Sequence, residues 1–337
     1  MSKSYQFKSV LAPYMEEFLE VRRAENFGTN YKRRIFSEID RFYCNENIQS
    51  AYITYDIIEK WKKSLLNQSA STMYQKYIGW NQLSKFMCMV GIKCYIPHLP
   101  PYRSVNKGFV PYIFTHEQIS ELFDMSDRLC FRMMNFGNGV FAVPCLLRML
   151  YGTGLRISEA LNIRNADLNI KEHYIHIIKT KNKTERIVVL SKTMSDAVNQ
   201  YLFYRNKLKL YDVNQPTSNL FVKLDGNSIS HATVYRWFKI LVSEMRLVNS
   251  ETGNTPRLHD LRHTFAVHSL EQMTRNGYDP YTVLPVLATY LGHNKIGSTE
   301  KYVRLTQEMY PDLVNEESLI SGFIYPKTKK GGSDGNK

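Results

Sequence analysis

No run of about 18 apolar residues occurs in this sequence, so it offers no membrane span. The opening stretch MSKSYQFKSVLAPYMEEFLEV carries acids and tyrosines where a signal peptide needs an unbroken apolar segment, and the expected location is cytoplasmic. Cysteine is scarce: residues 44, 88, 94, 130 and 145 are odd in number and contain no C-x-x-C pair. That pattern points to reduced thiols buried as small apolar residues, and it removes the commonest zinc ligands. Acids are outnumbered, 31 against 44 basic residues, for a net charge of +13. A surplus of that size favours a polyanionic partner such as DNA, RNA or an anionic membrane surface; the alternative is a soluble enzyme that happens to be basic. What is plentiful is apolar material: 43% of 337 residues, enough for sizeable cores in two or three domains.

From residue 7 to about residue 91 apolar positions recur at helical spacing. Val10, Leu11, Tyr14, Met15, Phe18 and Leu19 form one stripe, and Tyr31, Ile35, Ile39, Phe42 and Tyr43 a second. Ile57, Ile58, Trp61, Leu65 and Leu66 form a third; Met73, Tyr77, Ile78, Leu83 and Phe86 form a fourth. Four such helices predict a small bundle. Arg22, Arg23, Lys32, Arg33, Arg34, Lys62, Lys63 and Lys76 are assigned to its exposed faces, either as ordinary solvated charge or as a side turned to DNA. Four prolines in 97-PHLPPYRSVNKGFVP-111 mark a linker. Thr115 with Gln118 three residues later opens a helix. A larger, mostly helical domain then runs to about residue 325. It carries a β-hairpin whose strands, 174–178 and 187–190, flank the polar loop 179-KTKNKTER-186. The tail 326-PKTKKGGSDGNK-337 has the composition of a disordered segment. No internal repeat is present.

Three segments carry chemistry. In 258-LHDLRHTFAVH-268, His259 and His263 stand four apart, nearly the H-E-x-x-H zinc pattern. Arg262 shares their helical face, however, and a permanent cation opposes a dication. The acid is the shorter Asp260, and no third ligand is evident. An anion suits His259 and Arg262 better, since a guanidinium fork matches two phosphate oxygens. The bland alternative pairs Arg262 with a local acid and makes His259 a core histidine.

In 151-YGTGLRISEALNIRNADL-168 a G-x-G lacks the third glycine of a dinucleotide loop. Arg156 follows that turn inside an apolar run and must be paired, either by Glu159 at i+3 or by an external phosphate. In 290-YLGHNKIGSTEKYVRL-305, His293 follows a glycine at a helix end. Tyr302 comes nine residues later on a new helix capped by Ser298 or Thr299. One tyrosine among 23 is a poor nucleophile candidate by itself; only its company raises it.

Together these segments resemble the tyrosine recombinase (phage integrase) family. The resemblance lies in Gly152-Thr153-Gly154-Leu155-Arg156-Ile157-Ser158-Glu159-Ala160-Leu161, in His259-Asp260-Leu261-Arg262-His263, in Leu291-Gly292-His293 with Tyr302, and in a hairpin lysine, all in the family's order. It implies a mainly α chain with a small β-hairpin or sheet. Residues 1–97 would be a helical core-binding domain, 98–112 a linker, 113–325 an α+β catalytic domain and 326–337 a basic tail, the two domains closing as a C-shaped clamp on DNA.

The activity implied is strand cutting and rejoining through a 3′-phosphotyrosine ester. Tyr302 would be the nucleophile, and Arg156 and Arg262 would hold the non-bridging oxygens. His259 would handle the proton, Lys181 would protonate the leaving 5′-oxygen, and His293 would bind a phosphate oxygen. Glu159 would orient its neighbours, and His263 would support them from a packed position. Lys179 and Lys183 compete with Lys181 for the acid's role. No cofactor or metal is implied, because the arginines do what metal ions do in many nucleases.

The implied partners are duplex DNA with inverted-repeat core sites and three further copies of the chain, as a dimer per site and a tetramer on two duplexes. The resemblance also allows an accessory DNA-bending or directionality protein. Integration, excision or transposition of a mobile element leads; a chromosome-dimer resolvase or a type IB topoisomerase are the alternatives. The stripe Leu313, Val314, Leu319, Ile320 and Phe323 either packs on its own domain or docks on a neighbouring subunit. The helix at 230–247, with His231, Arg236, Trp237 and Lys239, either lies on DNA or is an ordinary surface helix.

Overall fold

The apolar stripes near the N-terminus form four helices: α1 (Ala12–Ala24), α2 (Asn30–Asn45), α3 (Tyr55–Ser64) and α4 (Ala70–Met89). The computed structural model describes residues 5–25, 27–65, 68–99, 110–132, 139–178, 185–208, 211–249, 253–293 and 297–313. Thr54 and Ser69 cap α3 and α4, accepting from the N–H groups of Ile57 and Thr72. Leu11, Met15 and Leu19 meet Ile35, Phe36 and Ile39, and Trp61 packs edge-on to Trp80 at 5.5 Å. Asp40 is fully buried and accepts from Tyr5 Oη (2.9 Å) and from the N–H of Ser9 (2.8 Å), which ties down the approach to α1.

Two of the charges assigned to the exposed faces turn inward. Lys76 is 7% exposed and pairs with Glu38, and Arg33 donates to Glu16 (3.0 Å) and to the Tyr5 carbonyl (3.0 Å). Conversely, Tyr31 and Cys44 are exposed although the sequence placed them inside. Both reversals have one cause: a helix position faces the core only when a neighbour covers it, and periodicity does not name the neighbour.

The chain divides into two units, residues 1–110 and 111–337, and the linker prolines Pro100 and Pro101 lie outside the described residues. The second unit opens with α5 (His116–Arg132), where Thr115 and Gln118 cap each other reciprocally: Gln118 N–H donates to Thr115 Oγ1 (3.2 Å) and Thr115 N–H to Gln118 Oε1 (3.0 Å). Next comes α6 (Val143–Thr153), buried at Val143, Cys145, Leu146, Leu147, Met149 and Leu150; apolar residues all round suit a central helix. The one-turn α7 (Ile157–Leu161) leads to three antiparallel strands, β1 (Leu168–Asn169), β2 (Tyr174–Ile177) and β3 (Arg186–Val189). The register pairs Leu168 with Ile175, Ile175 with Val188, and Ile177 with Arg186.

Strand β1 leaves no mark in the sequence, since two residues carry no period. Arg186, read there as the end of the loop, is the first residue of β3. Alternation puts Arg186 and Val188 on the inward face and leaves Ile187 and Val189 about 60% exposed. Helices α8 (Lys192–Asn206), α9 (His231–Glu244), α10 (Asp260–Arg275), α11 (Pro280–Leu291) and α12 (Gly297–Met309) complete the unit. On α9, His231 and Arg236 face solvent while Trp237 is buried against the domain core. Helix α12 packs on α10 and α11 through Ala266, Val267, Leu270, Leu287, Leu291, Val303 and Leu305. Leu313 is buried, and the rest of the apolar stripe beyond it lies outside the described residues. Among the described residues, no helix is long and apolar enough to cross a membrane.

Candidate active site

Two helix ends build the frame. Helix α6 stops at Gly154 (φ 61°) and α11 at Gly292 (φ 65°), both left-handed. After α11 the His293 N–H returns to the Ala288 carbonyl (2.9 Å) and the Gly292 N–H to Thr289 (3.0 Å), a Schellman closure. The carbonyls left over at these ends carry the negative pole of each helix. Arg262, on the first turn of α10, spans them: Nη1 donates to Gly154 O at 2.7 Å and Nη2 to Leu291 O at 2.6 Å. Among the described residues it makes no ion pair, so carbonyls take the place of the local acid offered as its alternative partner. It is 2% exposed, and burial with the charge of Arg156 pulls its pKa down to about 10.

Arg156 caps α7 and reaches the same turn. Its Nη2 donates to Gly292 O (3.2 Å), while its Nη1 and its backbone N–H donate to the two oxygens of Glu159 (2.9 and 3.0 Å). Glu159 also receives both terminal nitrogens of Arg186, at 3.2 and 2.8 Å. Burial alone would raise this carboxyl, but hydrogen bonds from Arg186 and Arg156 hold it down at about 2.

Gly154 tolerates no side chain. A Cβ would lie 2.5 Å from Phe265 and 2.9 Å from Leu291, in a backbone conformation costly for L-residues. Gly154→Ala is expected to lower unfolding free energy by about 2–4 kcal/mol, from strain plus overpacking. Chemical denaturation measures it, and a loss under about 0.5 kcal/mol would contradict the close approach.

The nucleophile candidate lies within the field of these two arginines. Tyr302 is 1% exposed, and its hydroxyl lies 2.8 Å from His263 Nδ1. Burial pushes the phenol up to about 12, against an opposing pull from Arg262 and Arg156. Lys301 stands with its Nζ 5.2 Å from the Tyr302 ring centre. The His259 ring meets His263 edge-on at 4.8 Å from a solvent-exposed position just before α10. Asp260, by contrast, is buried as a cap, accepting from the backbone N–H (2.8 Å) and guanidinium (3.1 Å) of Arg257. His293 Nδ1 lies 2.9 Å from Thr299 Oγ1. Helix α12 begins at Gly297, so Ser298 and Thr299 lie inside its first turn rather than ahead of it, and the Thr299 hydroxyl meets His293.

Arg156, Glu159, His259, Arg262, His263, His293 and Tyr302 therefore come together from three separate segments. Lys179, Lys181 and Lys183 lie outside the described residues. Arg186, Arg257 and Lys301 also stand at the site without a motif to mark them; for Arg186 the available signal is its place on the inward side of an alternating R-I-V-V run.

Loss of water around the ring is the first cause lowering the pKa of all three site histidines, His259 included, whose ring packs on His263 while another part of the residue stays exposed: His263 to about 2, His259 and His293 to about 4. Surrounding cations add to it, among them Lys301 beside His263 and Arg262 beside the other two. The fold thus favours neutral rings. This contribution to stability is fully present above pH 6.5, and it is lost as pH falls below that value towards each folded-state pKa. The buried His263 contributes roughly 1.4 kcal/mol of loss per pH unit in that window. Thermal midpoints should be level near neutrality and fall steadily from pH 6.5 to pH 4; a midpoint unchanged over that range would contradict a buried neutral His263.

The sequence model of the phage integrase family matches residues 113–309. The putative integrase/recombinase y4rB of Sinorhizobium fredii is 25% identical over 298 residues, covering 88% of this chain and 93% of that protein. The tyrosine recombinase XerD of Staphylococcus saprophyticus is 30% identical over 172 residues, 51% of this chain and 52% of its own length, so the chain spans about half of that relative. Among solved structures, the Tn1549 transposon integrase in complex with a circular intermediate DNA aligns with a TM-score of 0.63 at 16% identity, over 86% of this chain and 94% of that one. The XerH site-specific recombinase bound to a palindromic difH substrate aligns at 0.61 and 18% identity, over 91% and 85%. At these identities the likeness to the solved structures is one of fold.

Proposed function

The chain belongs to the phage integrase family, the tyrosine recombinases that transfer DNA strands, and on that premise we propose that it cuts and rejoins duplex DNA through a 3′-phosphotyrosine intermediate. One observation carries this reading: two guanidiniums held on helix-end carbonyls act electrostatically on a buried tyrosine that contacts histidine. Phosphodiester cleavage needs those parts. Tyr302 Oη bonds to the scissile phosphorus as the bond to the 5′-oxygen breaks. The phenolic proton passes to a neutral histidine, His259 in the family's pattern, and the leaving 5′-oxygen takes a proton from Lys181. Arg156 and Arg262 stabilise the charge on the non-bridging oxygens, and His293 adds a hydrogen bond there. Because Tyr302 is 1% exposed, the phenol must leave its contact with His263 before it meets an external phosphate.

The biological role proposed is integration, excision or transposition of a mobile element. Its support is the near full-length match to a putative integrase/recombinase and the fold shared with a transposon integrase. The DNA partner carries inverted half-sites, and assembly is a tetramer on two duplexes.

The test uses a pool of nicked duplexes with randomised half-sites, incubated with the protein and resolved under denaturing conditions. A covalent adduct mapping to the Tyr302 peptide supports the reading; no adduct from any duplex sinks it. EDTA leaves the yield unchanged if the arginines replace metal. The recovered duplex, offered in two distinguishable lengths, should give joined products. Supercoil relaxation without joining would move the assignment to a type IB topoisomerase.

A further inference from the structure

Arg156 is needed as a cation, yet it already touches an acid. Its side chain and its backbone N–H both donate to Glu159, which is 1% exposed. A guanidinium sharing a buried site with one carboxylate presents little net charge to a phosphate. Arg186 alters this balance. From the inward face of β3 it donates to both oxygens of Glu159, at 3.2 and 2.8 Å, in the forked arrangement where guanidinium and carboxylate fit best. Its Nε donates to the Tyr290 carbonyl at 2.9 Å. Its guanidinium also closes on Gly292, where a Cβ would lie 3.1 Å from Nη1. One carboxylate thus serves two arginines, and Arg186 takes the bidentate share.

We propose that Arg186 is a positioning residue that neutralises Glu159, so that the carboxylate can hold Arg156 in place while Arg156 keeps its charge for the scissile phosphate. Through Tyr290 and Gly292 the same side chain braces the turn that presents His293. Glu159, Arg156 and Arg186 form one hydrogen-bonded unit around a buried carboxylate, with a net charge of one cation. Without Arg186 that unit is neutral, and the site loses a charge although no residue touching the phosphate has changed. The proposal rests on the strand-transfer reading above.

The test is a cycle of wild type, Arg186→Gln, Glu159→Gln and the double variant, with the nicked duplex recovered by the wild type. It reads the single-turnover rate of adduct formation at saturating DNA, the Kd for DNA and the thermal midpoint. Arg186→Gln is expected to slow adduct formation about 100-fold with Kd within about threefold. Adding Glu159→Gln should restore at least about tenfold, because no buried carboxylate is then left to neutralise. A purely structural arginine gives another pattern: the double variant is no faster than Arg186→Gln, and rates follow midpoints. That pattern, or an Arg186→Gln as fast as wild type, overturns the proposal. If Arg186→Gln does not fold, Glu159→Gln is compared with the double variant. Rates within about threefold support the proposal, and a larger further loss overturns it. A wild type that forms no adduct overturns the strand-transfer reading as well; a cleaving wild type beside an unaffected Arg186→Gln overturns this proposal alone.

Discussion

Tyr302→Phe abolishes the covalent protein–DNA adduct while fold and DNA affinity survive. The ring stays buried in the cluster of Ala266, Leu270, Leu287 and Val303, and its volume hardly changes. What is removed is one hydroxyl and one hydrogen bond of 2.8 Å to His263. That loss costs about 1 kcal/mol of stability, with an upper bound near 3. Chemistry is affected without remedy, because no oxygen remains to bond phosphorus. The measurement is the denaturant-resistant adduct beside a binding titration on the same duplex. An adduct that persists in Tyr302→Phe assigns the nucleophile to another of the 23 tyrosines.

Arg262→Gln has the second largest effect, and it acts twice. Arg262 is 2% exposed and bridges the ends of α6 and α11 through Gly154 O and Leu291 O. Its removal takes the donors from two carbonyls and opens a cavity between helices. The expected cost is about 2–4 kcal/mol, at 1–3 kcal/mol for each group left unsatisfied with partial rescue by water. Transition-state charge also loses a donor, which costs a further factor of about 100–1000 in adduct formation. Both numbers are read below the variant's own midpoint, so that unfolding does not imitate lost chemistry. Arg156→Gln is the comparison: its side chain is 18% exposed, and Glu159 keeps the bidentate grip of Arg186, so the rate should fall with a smaller stability loss. An Arg262→Gln that cleaves within tenfold of wild type would remove the phosphate-clamp role.

The contrast between these two arginines shows where sequence reading stops. The spacing Gly154-Leu155-Arg156, with Glu159 at i+3, makes a local ion pair foreseeable, because those residues share one turn. Arg262 is as visible in the sequence, but its partners are carbonyls 108 and 29 residues away. No composition or period names a backbone oxygen as the counter-group. His263 is similar: its packed position was readable from the helix, whereas its contact with a hydroxyl 39 residues later was not.

By itself the sequence determined what depends on neighbours along the chain. It set the helical stripes, the Thr115–Gln118 capping box, the hairpin and the four blocks that mark the family. These are short-range matters of hydrogen-bond supply and side-chain period, decided within a turn or two. Only the tertiary structure decided which charges are buried and what they face. Lys76 and Arg33 turned inward to Glu38 and Glu16, Arg186 left its expected loop for the inward face of a strand, and Tyr302 came to rest against His263. A buried charge must find a partner wherever packing brings one, and packing joins segments that the order of residues keeps far apart.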